Sequence, residues 1–154
     1  MEPIISEPIE FTFVGISKLD QSDIGTIWNM FVEMEDQIQY AEKDFGYELH
    51  IFPDRLDKSQ EIVVMVSYNV DKVEKIPLPM MIKKLPKTKY AIFDYHVKDG
   101  DYSWINNQID TWIESSKYQI SPNYSIQRYD QRFKGMEDEQ SIIQFYIPIK
   151  PKDR

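Results

Sequence analysis

The spacing of apolar residues divides this chain of 154 residues into several strand-like segments and only two helix-like ones. Apolar side chains recur every third or fourth residue in one segment that begins near Ile24 and in another that begins near Trp104. Elsewhere they alternate with polar residues or form short β-branched and aromatic runs, which is typical of strands. The chain is therefore constrained to a fold in which two helices cover a predominantly β structure.

In the first half, the pattern predicts a strand over residues 9–16, then a helix, then strands over residues 47–52 and 61–70, with a polar turn over residues 53–60. Ser22 or Asp23 offers the N-cap of the helix, because both side chains accept hydrogen bonds from free backbone N–H groups. Neighbouring residues within 61–70 are apolar, so both faces of that strand are apolar. Such a strand is expected at the centre of a sheet, covered on both sides.

In the second half, strands are predicted over residues 80–85 and 90–96, around a turn at residues 86–88. Asp101 is the expected N-cap of the second helix. A loop over residues 118–123, a strand over 124–129, a polar loop over 131–140 and a last strand over 141–149 complete the chain.

This order, β-α-β-β followed by β-β-α-β-β, predicts the α+β class, with antiparallel sheet and helices packed on it. We interpret residues 1–154 as one domain made of two tandem β-α-β-β units, with halves over about residues 8–75 and 76–150.

Composition narrows the possible functions. The net charge of −8 supplies no basic face for phosphate contacts, so direct nucleic-acid binding is not expected. The absence of cysteine excludes a disulfide framework and cysteine chemistry, and is compatible with a reducing compartment. Neither a signal peptide nor a membrane-spanning segment is present in the sequence. A cytoplasmic protein without membrane contact is therefore expected.

Aromatic residues are unusually abundant, at 14% of the chain, and they occur in nearly every predicted strand. A concave site with aromatic walls and few polar groups is typical of small-molecule pockets. The same residues would also suit a densely packed core.

Three ordered segments resemble the GyrI-like family, the effector-binding domains of AraC-type regulators. They are Lys84-Leu85-Pro86-Lys87-Thr88-Lys89-Tyr90-Ala91-Ile92-Phe93, the helix with Trp112 followed by Ser125-Ile126-Gln127-Arg128-Tyr129-Asp130, and Phe145-Tyr146-Ile147-Pro148-Ile149-Lys150. The resemblance implies a ligand groove between two tandem halves. It also implies a stand-alone, multidrug-sensor-like domain that binds an aromatic or amphipathic small molecule and is linked to transcription regulation, with no DNA-reading domain attached.

Carried over to this chain, the resemblance implies that six residues line the groove: Tyr68, Phe93, Trp112, Gln127, Tyr129 and Tyr146. Trp112 lies on the apolar stripe of its helix and would equally suit the core. Gln127 takes the place of the glutamate that pairs with cationic drugs in the family. Because a neutral amide compensates a buried cation poorly, a neutral or polar ligand is favoured, unless Asp94 faces the pocket and replaces the carboxylate.

An enzyme is not expected, nor are a cofactor or a metal. His50 and His96 lie on separate predicted strands without metal-ligand spacing, and neither a nucleophile elbow nor a phosphate loop occurs. A minority of the family are hydrolases, and such a reaction would need a buried acid beside a tyrosine or tryptophan. The alternative to ligand binding is a protein-interaction module like the DNA gyrase inhibitory proteins, with a regulator or a gyrase-like protein as partner of the acidic surface.

Overall fold

The computed structural model describes residues 1–19, 23–52, 62–121 and 123–153. These residues form eight strands and two α-helices. In chain order they are β1 (Ile4–Ile5), β2 (Ile9–Leu19), α1 (Ile24–Met34), β3 (Gly46–Ile51), β4 (Val63–Asn69), β5 (Met81–His96), α2 (Tyr102–Ser115), β6 (Tyr118–Ile120), β7 (Tyr124–Tyr129) and β8 (Ile142–Pro151). The α+β class predicted from the sequence is confirmed. Neither helix has the length and apolar content of a transmembrane span.

All strands belong to one antiparallel sheet in the order β1-β5-β2-β4-β3-β7-β8-β6, and β5 pairs additionally with β8. The pairings β5–β2–β4–β3–β7–β8–β5 therefore form a closed hydrogen-bonded circuit. Only β1 and β6, of two and three residues, lie outside it.

Strand β5 closes this circuit because it is one continuous strand of 16 residues. The prediction of two strands around a turn at residues 86–88 was wrong. Residues up to Thr88 pair with β2, and residues from Lys89 onward pair with β8. The register against β2 shifts between Ile9 and Phe11, so Pro86 lies at an irregularity of the ladder, where proline is tolerated within a sheet.

The second proline of the sheet is also accommodated without loss of a backbone hydrogen bond. Pro148 lies opposite Tyr90 in the pairing of β5 with β8. The backbone N–H of Tyr90 donates to the Ser6 hydroxyl at 3.0 Å, and its carbonyl accepts from the Ser6 N–H at 2.9 Å. The backbone groups of Tyr90 thus point to the N-terminal segment and not to Pro148, whose own carbonyl accepts from the Ser121 N–H at 2.9 Å. Strand β8 continues through Pro148 to Pro151, beyond the predicted end at residue 149.

The helix ends agree only in part with the sequence patterns. Asp101 caps α2, since its Oδ1 accepts a hydrogen bond from the Trp104 N–H at 2.9 Å, which confirms the prediction. At α1 the cap position is Asp23, in a left-handed conformation and without a side-chain cap bond. Ser22 and the polar turn at residues 53–60 lie outside the described residues. The segment predicted as a loop over residues 118–123 contains β6, which pairs with β8.

The two faces of the sheet are covered differently. One face curls onto itself and buries a cluster that includes Phe11, Tyr47, Tyr90, Tyr124 and Tyr146. On the other face, α1 packs over β2 and β4, and α2 packs over β5 and β8. Strands β3 and β7 lie between these two helix-covered regions in the strand order.

Strand β4 is central, as its two-sided apolar pattern predicts, and five consecutive residues from Val64 to Tyr68 are buried. Its neighbour β2 approaches it closely at Gly15. A Cβ atom at Gly15 would lie 1.9 Å from the Val66 carbonyl oxygen and 2.6 Å from the Ser67 Cα. Only glycine allows this approach of the two backbones.

Replacement of Gly15 by alanine should therefore lower the free energy of unfolding by about 3 kcal/mol, because the obstructing atoms are backbone and cannot rotate away. The matched control is Gly25→Ala in α1, where a Cβ would meet nothing within 4 Å. This change should raise the free energy of unfolding by about 0.5 kcal/mol. Urea unfolding measures both, and a Gly15→Ala protein as stable as the parent would contradict the close approach.

Candidate functional site

A cavity of about 490 Å³ opens on the helix-covered face of the sheet. Ile24 and Trp28 of α1 form one side, and Tyr102 at the start of α2 lies on the other. The remaining lining residues come from β3, the end of β7 and the loop that follows it: Glu48, Tyr129, Asp130, Phe133, Gly135 and Met136. The cavity thus occupies the gap that the two helices leave over the middle of the sheet.

The walls of this cavity are mainly aromatic. The Trp28 and Tyr129 rings meet edge to face with centroids 5.4 Å apart. Phe133 stacks on Tyr129 with centroids 4.9 Å apart and an angle of 29° between the planes. Such walls offer apolar area and negative ring faces to a ligand.

The polar centre of the cavity is Glu48, which projects from β3. Tyr47, Leu49 and Ile51 of this strand point into the opposite core, so alternation places Glu48 and His50 on the helix side. Glu48 is only 7% exposed. A carboxylate this deeply placed requires hydrogen-bond partners, because an unpaired buried charge costs several kcal/mol, on the order of 5.

Three side chains from three elements supply those partners. The Trp28 indole N–H donates to Glu48 Oε2 at 2.6 Å. The Tyr129 hydroxyl lies 3.1 Å from the same oxygen and 2.8 Å from Gln127 Oε1. His50 Nε2 lies 3.0 Å from Glu48 Oε1. Since a hydroxyl has one proton, Tyr129 donates either to Glu48 or to Gln127.

No lysine or arginine within the described ranges forms a salt bridge with Glu48; its only salt-bridge partner there is His50. The other acid that lines the cavity, Asp130, is different. Arg132 Nη2 lies 2.9 Å from Asp130 Oδ2. Burial alone would raise the pKa of Asp130, but the hydrogen bonds and charge of Arg132 outweigh it and lower the pKa. Asp130 is therefore paired with an arginine, whereas the only salt-bridge partner of Glu48 among the described residues is a histidine.

The charge of Glu48 is felt by both tyrosines of the cavity. Burial, and then the charge of Glu48, raise the pKa of the Tyr129 hydroxyl well above its usual value of 10.0. The same two causes, in that order, raise the pKa of Tyr102 to about 12. A site that disfavours a second anion in this way favours a cation.

Of the six residues assigned to the groove by resemblance, the structure places two at this cavity. Tyr129 lines it, and Gln127 lies beside Tyr129 on the same face of β7, directly across from Glu48 on β3. The pairing of Gln127 with Tyr129 on one face agrees with the expected strand.

The other four residues lie elsewhere. Tyr68 packs under α1, and its hydroxyl donates to Glu35 at 2.6 Å. Phe93 is fully buried beneath α2, where Trp112 meets it edge to face at 5.7 Å. Tyr146 belongs to the cluster on the opposite face of the sheet. None of the four lines the cavity between the helices.

Asp94, which the sequence offered as a substitute carboxylate, does not face the cavity either. Its side chain is 46% exposed, accepts from the Gln144 amide at 3.0 Å and lies 3.9 Å from Arg132. Alternation on β5 explains this position, since the neighbours Phe93 and Tyr95 point under α2.

The carboxylate that the sequence analysis missed is Glu48. Glutamate and histidine alternate with Tyr47, Leu49 and Ile51, and such a strand ordinarily exposes its polar face to water. The signal that identifies them as buried is the place of β3 between β4, which α1 covers, and β7, which is followed by β8 under α2. That place can be read only from the strand order. In the residues that the structure describes, no group of three metal-ligating side chains occurs around this pair or elsewhere.

Comparison with known proteins identifies a family whose sequence model matches this chain. A sequence model of the Cass2 family, described as integron-associated effector binding protein, matches residues 8–149. No curated protein matches the chain in sequence.

Solved structures share the fold at low sequence identity. SAV2435 bound to tetraphenylphosphonium is similar with a TM-score of 0.69 and 16% identity, over 97% of this chain and 94% of that one. The C-terminal domain of EcmrR has a TM-score of 0.70 and 13% identity, over 98% of both chains. A hydrolase from Listeria innocua has a TM-score of 0.67 and 9% identity, over 97% of this chain and 92% of that one. At these identities the likeness shows the fold alone.

The raised pKa of Tyr129 makes stability depend on pH in the alkaline range. The unfolded chain loses this proton near pH 10, whereas the folded protein keeps it to higher pH, so this contribution to stability is complete below about pH 10 and is lost as pH rises further. Between about pH 9 and pH 11 the free energy of unfolding should fall in the parent and in Tyr129→Phe. The fall should be about 1 kcal/mol smaller in Tyr129→Phe than in the parent. Urea unfolding across that range measures the difference.

The internal control is the range from about pH 7.5 to pH 9, where neither state loses a tyrosine proton and the two proteins should show parallel curves. Equal slopes above about pH 10 would contradict the buried position of the Tyr129 hydroxyl.

Proposed function

The chain belongs to the Cass2 family of integron-associated effector-binding proteins, and on that premise we propose that it binds a lipophilic organic cation in the cavity between α1 and α2. The ligand would place its charge near Glu48 and its apolar groups against Trp28, Tyr129 and Phe133. The protein is then a sensor or a sequestering domain for such compounds, linked to transcription regulation.

The observation that carries this proposal is the set of donors that hold Glu48, which includes neither lysine nor arginine among the described residues. Its oxygens are held by an indole N–H, a phenol and an imidazole, which fix the carboxylate without a lysine or arginine to cancel its charge. A ligand cation would complete the charge balance that the protein leaves open. The donors come from α1, β3 and β7, so the acceptor is already positioned before a ligand arrives.

Glu48 also reverses the preference for a neutral ligand that Gln127 suggested. Gln127 does lie beside the site, but Glu48 lies opposite it on the neighbouring strand. The carboxylate is therefore present in this chain on β3 while the amide is on β7. Binding of tetraphenylphosphonium by the similar protein SAV2435 supports a cationic, aromatic ligand class, and the likeness to the EcmrR domain supports the regulatory context.

Tetraphenylphosphonium is the probe for this proposal, and triphenylphosphine oxide is its neutral counterpart. Glu48→Gln should weaken binding of the cation at least tenfold, about 1.4 kcal/mol, because the counter-charge is removed while the shape is retained. Binding of the neutral compound should change little. Isothermal titration calorimetry measures both affinities.

The matched control is Glu35→Gln, which removes the same charge and also leaves a tyrosine hydroxyl with an amide acceptor, but beside Tyr68 and outside the cavity. It should bind the cation like the parent. Tyr129→Ala should weaken binding without unfolding the domain. Cation affinity unchanged in Glu48→Gln, or reduced equally in Glu35→Gln, would reject the role of Glu48.

A second candidate function is hydrolysis of a reactive small molecule. A buried acid beside a tyrosine and a tryptophan is the arrangement that such chemistry would require, and Glu48 with Tyr129 and Trp28 has it. A hydrolase from Listeria innocua is similar in fold. Glu48 would act as the base through its remaining lone pairs. Because both of its oxygens already accept hydrogen bonds, we rank ligand binding first.

Turnover of aryl epoxides and activated esters tests this candidate. If it is right, product forms over many turnovers in the parent and in Glu35→Gln, and not in Glu48→Gln. Tight cation binding with no turnover in any variant would reject hydrolysis and retain ligand binding as the proposed function.

A further inference from the structure

A second and larger concavity, of about 740 Å³, lies at the opposite end of α2 from the cavity described above. Its walls come from residues 87–89 of β5, the segment after α2, the end of β8 and Pro8. We call it the lysine groove, because it is lined by Lys87, Lys89, Lys117 and Lys150, together with Pro8, Thr88, Tyr118, Ser121, Ile149 and Pro151.

We propose that the lysine groove is a binding site for a small compound that carries several phosphate charges. None of its lining residues is acidic, although acids exceed bases in the chain by 26 to 18. Across the described residues, none of the four lysines forms a salt bridge. Four like charges in one concavity repel each other, and a multivalent anion would relieve that repulsion.

The C-terminus of α2 would normally oppose an anion here, because the free carbonyl groups at a helix end carry partial negative charge. In this protein those carbonyls are occupied. The Lys152 ammonium donates to the Glu114 and Ser116 carbonyls at 2.9 and 2.7 Å, and the Ser116 hydroxyl donates to the Ile113 carbonyl at 3.0 Å. Lys152 therefore caps the helix. Of the lysines of the groove, Lys117 lies over the ring of Tyr118, with its ammonium 5.5 Å from the ring centroid, and none forms a salt bridge within the described residues.

The side chains of the groove favour phosphate over carboxylate. Arginine is the residue that matches a carboxylate with two parallel hydrogen bonds, whereas lysine binds phosphate oxygens as a point charge. No arginine lines the groove. Ser121 adds a hydroxyl, and Tyr118, stacked on Trp112 at 6.0 Å, adds an apolar wall for an organic part.

The size of the site favours a small ligand over nucleic acid. The volume lies in the range of pockets for small molecules, about 300–1,000 Å³. An extended polyanion would reach beyond the groove onto a surface with a net charge of −8, where it would be repelled. A compact ligand keeps its charges among the lysines.

Inorganic pyrophosphate is the first probe, because it concentrates several charges and has no organic part. Titration calorimetry at low salt should show saturable binding to the parent protein. Lys89→Gln and Lys117→Gln, which remove charge from two sides of the groove, should each weaken this binding at least fivefold. Lys75→Gln removes the same charge from an exposed residue outside the groove and should have no such effect.

Glu48→Gln should bind pyrophosphate like the parent, which separates this site from the cation cavity. Absence of saturable pyrophosphate binding at millimolar concentration would overturn the proposal. The proposal would also be overturned if Lys75→Gln weakened pyrophosphate binding as much as the groove substitutions do, because the attraction would then be nonspecific. If a single-stranded oligonucleotide bound more tightly than pyrophosphate, and the same two groove substitutions weakened it, the ligand of the groove would be a nucleic acid and the proposal of a small compound would be wrong.

Discussion

The arrangement of this protein depends on the requirement that both faces of a sheet be covered. One face satisfies it by curling, so that aromatic residues such as Phe11, Tyr90 and Tyr146 meet in its interior. The other face has only two helices, placed over the strands on either side of β3 and β7. On the helix side of these two strands lie Glu48, His50 and Gln127, which are three of the five buried polar residues among those that the structure describes. The cavity is the part of the sheet that no helix covers.

A gap of this kind is stable only because its polar groups satisfy one another. Glu48 ties α1 to the sheet through Trp28, and β3 to β7 through Tyr129. These bonds hold the carboxylate in place without a lysine or arginine among the described residues, in contrast to Asp130 with its arginine. Burial, and then the negative charge of Glu48, raise the pKa of the Tyr102 and Tyr129 hydroxyls. These features are the basis of the proposal that the cavity binds a positive group.

Much of the fold could be predicted from the sequence because it depends on local patterns. Spacing identified both helices and most strands, the Asp101 cap was correct, and the family resemblance is confirmed by the match over residues 8–149. The continuity of β5 through Pro86 could not be predicted, because the change of strand partner there is not a local property. The position of Glu48 was missed for the same reason: alternation shows which residues share a face, and only the strand order shows what covers that face. The resemblance placed Gln127 and Tyr129 near the cavity but also named Phe93 and Tyr146, whose burial in cores follows from the closed sheet.

The predicted repeat of two β-α-β-β units recurs in the strand pairings, since the order β2-β4-β3 of the first unit corresponds to β5-β8-β7 in the second. The two units are nevertheless joined through one shared strand pairing at each end. Residues 81–88 complete the sheet beside β2, and residues 89–96 of the same strand complete it beside β8. A segment ending at residue 75 would leave β2 with an open, unpaired edge, and the remainder of the chain would lack the partner of β7. Neither half is therefore a module that recombination could move into another protein by itself. The unit that can be inherited, fused or exchanged intact is therefore the whole circuit of six strands.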